Sequence, residues 1–342
     1  MLKRKCAMKS KKCIIVFLSF LLCLAFIMPV FGAENEEGQR ILDKYTAEDQ
    51  LGQPFLTTIR PFTGSVEEEA VPEDVQNAVS KYKALTVKAY NIDGIHIYDV
   101  YKNDGKKKPL LIYLHPAHNS RKFFLVEQAA AEQKGSGRVS FNDYANAGIR
   151  VITLDSPSCG SSDVGPLDFM TIIAETVRYI DHIIEYYNTV EDADATRFAL
   201  QGYSQGADSA FSYVAHGAYQ PAAIISDCGI TDFSKVSAVF DCSFHDKWGL
   251  PNIMSKQQIL TFARLYSPCN FPEKFENVFI LSGCGEKDII HPPAIIKSFE
   301  AKLKELGYKN FKFIYDKDTG HWPLEATRQN ALPVLKKTLL KK

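Results

Sequence analysis

The chain has 342 residues, enough at roughly 100 to 200 residues per domain for one large domain or two small ones. Its 46% hydrophobic and 23% charged content is that of an ordinary folded protein and excludes disordered, collagenous and multi-span membrane classes. The formal charge is +0, but Lys3, Arg4, Lys5, Lys9, Lys11 and Lys12 hold six of the 40 basic side chains, which leaves 34 against 40 acidic, net about −6. A body of that sign has no general pull on nucleic acid, and neither a Cys/His metal-finger spacing nor a basic cluster argues otherwise.

The basic start runs into Cys13 to Val30, an apolar stretch interrupted by Ser19 and Pro29 and followed by Phe31, Gly32, Ala33 and Glu34. Residues 1–33 read as a secretory signal, cut after Gly32 or Ala33, or as an uncleaved anchor, since eighteen residues can just span a bilayer. With the positive charge held in the cytoplasm, both readings place the body outside the cytoplasm, and a membrane is a partner only through this segment if it stays. Cys6, Cys13 and Cys23 belong to it; Cys159, Cys228, Cys242, Cys269 and Cys284 belong to the body. Five is odd, so at least one is unpaired or bonds another chain; a Cys242 to Cys269 bridge is permissible outside the cell, with buried free thiols as the alternative.

Residues 34–83 form a lead-in, acidic and polar with little periodicity up to about residue 70 and carrying no motif, that packs on the domain or hangs free. From residue 84 the pattern changes. Leu85 to Tyr90 and Ile95 to Tyr101, separated by Asn91-Ile92-Asp93-Gly94, predict an antiparallel hairpin. Continuous apolar runs follow, each trailed by a helical stretch: Leu110 to Leu114, Ile149 to Leu154, Phe198 to Gln201, Ala222 to Ser226, Val278 to Ser282 and Phe311 to Tyr315. Unbroken apolar runs suit strands buried on both faces, and alternation with helices argues a mostly parallel sheet, so the fold class is α/β with residues 84–342 as one domain. Gly307 after the helical run Ala294 to Leu306 is a helix-ending glycine.

Phe198 to Gln201 leads into Gly202-Tyr203-Ser204-Gln205-Gly206, after which Ala207 to Ala215 read as a helix. That is the strand, tight turn and helix of a nucleophile elbow, whose glycines permit the sharp turn that exposes a serine hydroxyl before a helix amino terminus. A serine hydroxyl attacks only when a base takes its proton, and that base needs a carboxylate to fix its tautomer. Downstream, Asp288 follows the strand Val278 to Ser282, and His321 follows Phe311 to Tyr315 within Thr319-Gly320-His321-Trp322-Pro323. Both stand at carboxyl ends of predicted parallel strands, where open α/β sheets put their sites.

In this order of Ser204, Asp288 and His321 the sequence resembles the α/β-hydrolase superfamily, over residues about 84 to 340. The resemblance implies a mostly parallel central sheet flanked by helices and a serine, acid and histidine triad. Asp227 and Asp232 are rival acids, placed where some hydrolases of this fold carry theirs; Asp316 and Asp318 lie too close to His321 along one loop. His291 reads as a loop histidine, and His182, His216 and His245 as surface or helix residues. The oxyanion requires two donors, usually the largest electrostatic contribution. One is the amide of Gln205, and the second comes from His115-Pro116-Ala117-His118-Asn119-Ser120, where relatives usually have His-Gly. Proline has no N–H, so by position the donor becomes the Ala117 amide and His115 a structural anchor. Asp155 to Asp163 matches a scaffolding loop of relatives, with Cys159 near the cleft but not nucleophilic.

Between Asp227 and Glu276 an insert of residues about 228–276 holds Phe233, Phe240, Phe244, Trp248, Phe262, Tyr266 and Phe271. Such an insert caps the carboxyl edge of the sheet, and its aromatics either line a substrate pocket or form its own core. Tyr203, His118 and Trp248 are the candidate substrate-binding residues. Asp246-Lys247-Trp248-Gly249-Leu250-Pro251 and the run from Ser267-Pro268 to Asp288 are similar to the catalytic domain of prolyl oligopeptidase-like hydrolases. Their peptidases usually carry a large amino-terminal propeller, which the roughly fifty residues before Ala84 cannot form. The resemblance implies a serine hydrolase, with a small ester favoured over a short peptide and with no cofactor and no metal; together with the amino-terminal segment it reads as an exported one. The alternative of another class is a catalytically silent binding or adhesion protein on the same fold.

Overall fold

The computed structural model describes residues 36–48, 51–53, 58–82, 84–127, 141–240 and 253–341. The predicted signal or anchor, together with Cys242, Phe244, His245 and Trp248 of the insert, lies outside the described residues. Among the described residues no helix is long and apolar enough to cross a membrane.

Among the described residues nine strands form one sheet in the order β1-β2-β3-β5-β4-β6-β7-β8-β9. In chain order these are β1 (Val66–Glu69), β2 (Leu85–Ile92), β3 (Ile95–Lys102), β4 (Lys108–Leu114), β5 (Arg150–Leu154), β6 (Ala193–Tyr203), β7 (Ala223–Asp227), β8 (Phe279–Gly285) and β9 (Phe311–Asp316). The first three pair antiparallel and β3 joins β5 antiparallel, while β5, β4, β6, β7, β8 and β9 run parallel to their neighbours. Asp93 and Gly94 close the predicted hairpin, both at positive φ (53° and 85°), as a two-residue turn that follows the twist of the strands requires. The strand β1 was not expected: its Val-Glu-Glu-Glu lacks an apolar run, and it adds to the hairpin edge with its acidic side chains mostly exposed, which blunts that edge against further pairing.

Among the described residues the helices of six residues or more are α1 (Glu36–Thr46), α2 (Glu73–Ser80), α3 (Phe141–Asn146), α4 (Phe169–Tyr187), α5 (Gln205–His216), α6 (Lys256–Tyr266), α7 (Pro293–Glu305) and α8 (Glu325–Leu335). Alternate strand residues serve opposite layers. Leu110, Ile112, Leu114, Leu200, Ile224 and Ile280 pack with Ile180 of α4, Phe211 of α5 and Phe299 of α7. Leu111, Tyr113, Val151, Ile225 and Leu281 pack with Val75 of α2, Tyr144 of α3 and Leu335 of α8. This period of two, apolar on both faces, is why the central strands read as unbroken hydrophobic runs.

A third cluster joins the lead-in to the insert. Ile41, Leu42 and Tyr45 of α1 pack with Phe233, Ile259, Phe262 and Tyr266 of the insert, Met170 and Ile173 at the start of α4, and Ile295 at the start of α7. The lead-in therefore packs on the domain, and of the insert aromatics Phe233, Phe262 and Tyr266 are fully buried in this core while Phe271 is half-buried edge-on to His216.

Candidate functional site

The parallel strands end in register. Leu114 stands opposite Leu154 and Gly202, Tyr203 opposite Asp227, Asp227 opposite Gly283, and Gly285 opposite Asp316. The loops after β4, β6, β7, β8 and β9 therefore meet at one edge, and the sequence-predicted residues come from these loops.

Ser204 links β6 directly to α5 with φ 54° and ψ −124°, a region that costs a non-glycine residue on the order of 1 to 3 kcal/mol. The flanking glycines admit the turn. A Cβ on Gly202 would stand 2.3 Å from the Gly206 carbonyl carbon, and one on Gly206 would stand 2.1 Å from the Leu114 carbonyl oxygen. The second contact seats the first turn of α5, with Gln205, against the end of β4, from which the His115 to Ser120 loop departs.

The three candidate triad members come together. Ser204 Oγ lies 2.8 Å from His321 Nε2, and His321 Nδ1 lies 2.8 Å from Asp288 Oδ2. The other carboxylate oxygen of Asp288 accepts the backbone N–H groups of Ile290 and His291 at 2.9 and 2.8 Å. Burial alone would raise the Asp288 pKa, but the hydrogen bonds from His321 and His291 hold it below the ordinary carboxylate value. Because a carboxylate can only accept, Nδ1 of His321 carries the hydrogen, which leaves Nε2 free to accept from the Ser204 hydroxyl.

The His321 loop is pinned from beneath. The Tyr203 hydroxyl donates to the His321 carbonyl (2.8 Å), the Cys228 thiol to the Trp322 carbonyl (3.2 Å), and the Leu324 N–H to Asp227 Oδ1 (3.0 Å). Tyr203, expected to bind substrate, thus spends its hydroxyl on the loop, with its ring 5.7 Å from the His321 ring. The rival acids are occupied elsewhere. Asp227 is buried under Leu324, and its burial pushes the pKa up to about 6; Asp232 pairs with Lys235 at 2.9 Å.

His115 is buried, accepts the Ser156 N–H at Nε2 (3.0 Å) and donates from Nδ1 to the Pro116 carbonyl (2.7 Å). It ties the loop after β4 to the loop after β5. Ala117 is half-buried beside it, and His118 is exposed at φ 58°. His118 borders a cavity of about 300 Å³ with Ser158, Cys159, Ser162, Asp163 and Leu167, and burial raises the Cys159 thiol to about 11. Trp248 lies outside the described residues, and Phe233, Phe262 and Tyr266 form the insert's core, so among the described aromatics of the insert these three line no substrate pocket.

Sequence reasoning did not single out two exposed apolar side chains that adjoin triad candidates in the chain. Ile289, next to Asp288, is 92% exposed and Trp322, next to His321, is 69% exposed. It also missed Cys228, held at φ 55° between the acid and histidine loops; no local pattern marks that residue. Ligating atoms of Cys228, Asp288 and His321 lie within 4.8 Å of one another. Asp288 and His321 are engaged with each other, the Cys228 thiol donates to the Trp322 carbonyl, and burial pushes that thiol well above its usual value, so the three do not stand as a ready ligand set. Cys159, Cys228, Cys269 and Cys284 carry free thiols; Cys269 faces Asn270, and its suggested partner Cys242 lies outside the described residues.

No family model matches the chain, and no curated protein matches its sequence. Solved structures do share its fold. An acetyl xylan esterase from Paenibacillus sp. R4 superposes with TM-score 0.59 at 14% identity, covering 89% of this chain and 93% of that one. An esterase from Pyrococcus furiosus gives 0.52 at 15%, covering 83% and 99%. A puromycin-hydrolyzing peptidase from Mycobacterium tuberculosis gives 0.55 at 16%, covering 75% of this chain and 40% of the peptidase. The chain has the α/β-hydrolase fold, a mostly parallel sheet flanked by helices.

Proposed function

We propose that this chain is an exported serine hydrolase that cleaves small esters through a Ser204, His321 and Asp288 triad. The observation that carries the reading is the continuous hydrogen-bonded path from Ser204 Oγ through His321 to Asp288, two contacts of 2.8 Å at the end of a nucleophile elbow. In this mechanism Ser204 Oγ attacks the substrate carbonyl while His321 Nε2 takes its proton, and Asp288 stabilises the resulting imidazolium. The amides of Gln205, at the start of α5, and Ala117 hold the oxyanion, the first helped by the helix amino terminus. His321 then protonates the leaving group, and water, deprotonated by the same nitrogen, releases the acyl group.

Esters are favoured over amides because they need less help at the leaving group and because Ile289 and Trp322 offer an apolar rim for a short acyl or aryl group. A net charge near −6 outside the amino-terminal segment adds a mild penalty for acidic substrates. A second reading, cleavage of short peptides, draws on the fold likeness to the puromycin-hydrolyzing peptidase. Export rests on the basic and apolar amino-terminal sequence alone. The test compares kcat/KM on esters and amides of matched acyl group. The ester should be faster by more than its chemical reactivity explains; a faster amide would hand the site to the peptidase reading, and no turnover of either would favour a silent binding protein.

A further inference from the structure

Behind the triad, two buried ionisable groups from different elements face each other. Asp208 lies in the first turn of α5, where its N–H bonds the Ser204 carbonyl at 3.0 Å and its Oδ1 accepts the Ile230 N–H at 2.9 Å. Its Oδ2 is buried with no hydrogen-bond partner among the described residues. His291 stands in the acid loop, where its N–H is one of the two that hold Asp288. Its ring meets the His321 ring edge to face, centroids 4.8 Å apart at 81°, its Nδ1 bonds the Cys228 carbonyl at 2.5 Å, and its Nε2 faces Asp208 Oδ2 at 3.7 Å.

We propose that Asp208 and His291 share one proton as a neutral pair that positions the Asp288 and His321 couple, tying the acid loop to the helix that carries the nucleophile. The proposal rests on the triad reading above. The Cys228 carbonyl can only accept, so Nδ1 of His291 carries a hydrogen and Nε2 of the neutral ring presents a lone pair to Asp208. A carboxylic acid on Asp208 satisfies that lone pair after a small side-chain adjustment. An Asp208 carboxylate with a His291 imidazolium would satisfy the same geometry, but it would set a second anion beside Asp288 and a cation against His321, which must itself gain positive charge during the reaction. Among the described residues, the ionisable groups that act on the pair are Asp288 and His321, with the Cys228 thiol beside that couple. Burial, with Asp288 nearby, pushes the Asp208 carboxyl well above its ordinary range, and burial with His321 nearby pushes His291 down to about 4. Both directions are those of the neutral form. His291 then acts as a positioning residue: its backbone orients Asp288, its ring walls His321, and its uncharged state leaves Asp288 to answer the imidazolium of the transition state.

The test replaces each partner and reads kcat, KM and the carboxyl itself. Asp208→Leu and His291→Phe should each lower kcat about 10- to 100-fold, the scale of a misplaced catalytic group, with KM within about threefold of wild type. Asp208→Asn, whose amide can donate to Nε2 and whose oxygen can accept from Ile230, should recover at least about threefold in kcat over Asp208→Leu. A kcat loss below tenfold in both disruptive variants, or an Asn variant no better than Leu, overturns the pair. Should either disruptive variant fail to fold, the infrared difference spectrum of wild type minus Asp208→Asn near neutral pH decides: a protonated-carboxyl band supports the pair and a carboxylate band overturns it. A protonated band in a chain without turnover at Ser204 would count against the triad and leave the pair standing. Turnover at Ser204 with a carboxylate band would count against the pair alone.

Discussion

The loops around Ser204 and the layer built from α1, α6 and the amino end of α4 are held by different forces. At the site, side chains bond specific backbone groups: Tyr203 to His321, Cys228 to Trp322, Asp227 to Leu324, and Asp288 to Ile290 and His291. In the layer, Ile41, Tyr45, Met170, Phe262 and Tyr266 are buried against one another, with polar straps from Gly52 to His216 Nδ1 (3.2 Å) and from Ile59 to Glu175 (2.9 Å). Directional bonds fix the angles a proton transfer needs, whereas apolar burial fixes only proximity. Substitutions at the site should therefore cost rate at nearly constant stability, and substitutions in the layer should cost stability at nearly constant rate.

The largest expected effect is that of Ser204→Ala, which should lower kcat on the order of 10⁶-fold, the scale for losing a triad serine, while a thermal melt stays close to wild type. Asp288→Asn should follow at about 10⁴-fold, the size known for the same change in serine proteases, because the amide no longer holds the His321 Nδ1 hydrogen. Asp227→Asn should cost far less, since Asp227 serves the Leu324 backbone. Equal losses in the two variants, measured as kcat on one ester, would move the acid to β7. In the layer, Phe262→Ala should cost about 3 to 5 kcal/mol in urea unfolding, the usual range for a buried phenylalanine, with kcat of the folded protein within about twofold of wild type. A tenfold rate loss at unchanged stability would break the comparison.

The smallest expected effect concerns pH. Burial between α5 and α6 pushes His216 down to about 4 from its ordinary 6.5, although its bond to the Tyr266 carbonyl works against the shift. Below 6.5 the unfolded ring takes a proton that the folded ring refuses, so this contribution to stability is complete above 6.5 and is lost as pH falls toward 4, by about 3 kcal/mol. In unfolding measured across that window, His216→Gln should flatten the slope; an unchanged slope would show that His216 does not sense pH.

The strands and the elbow were legible because their signals are local. Apolar runs buried on both faces mark β4 to β8, and two glycines around a serine mark a turn that tolerates no Cβ on either side. Where partners are distant in sequence, local reading failed. The 11-residue helix α1 has a short apolar stripe that matters only because the insert covers it more than 200 residues later. β6 begins at Ala193 rather than Phe198 because Ala193 and Asp194 pair with Lys108 and Pro109 ahead of a register shift, a pairing that no unbroken apolar run announces. The insert aromatics were ambiguous for a similar reason: an aromatic needed for a core and one lining a pocket look alike until the facing α1 and α4 are known. Tyr203 sat beside the serine in sequence, yet its hydroxyl reaches the loop 118 residues away. His291, three residues from Asp288, read as a bystander because its partner Asp208 stands on another element.

Covalent labelling with a fluorophosphonate, mapped by mass spectrometry, decides whether Ser204 is a nucleophile activated by His321. A single adduct is expected on the peptide containing Ser204, lost in both Ser204→Ala and His321→Ala. An adduct on another serine, or undiminished labelling of Ser204 in His321→Ala, would contradict that role.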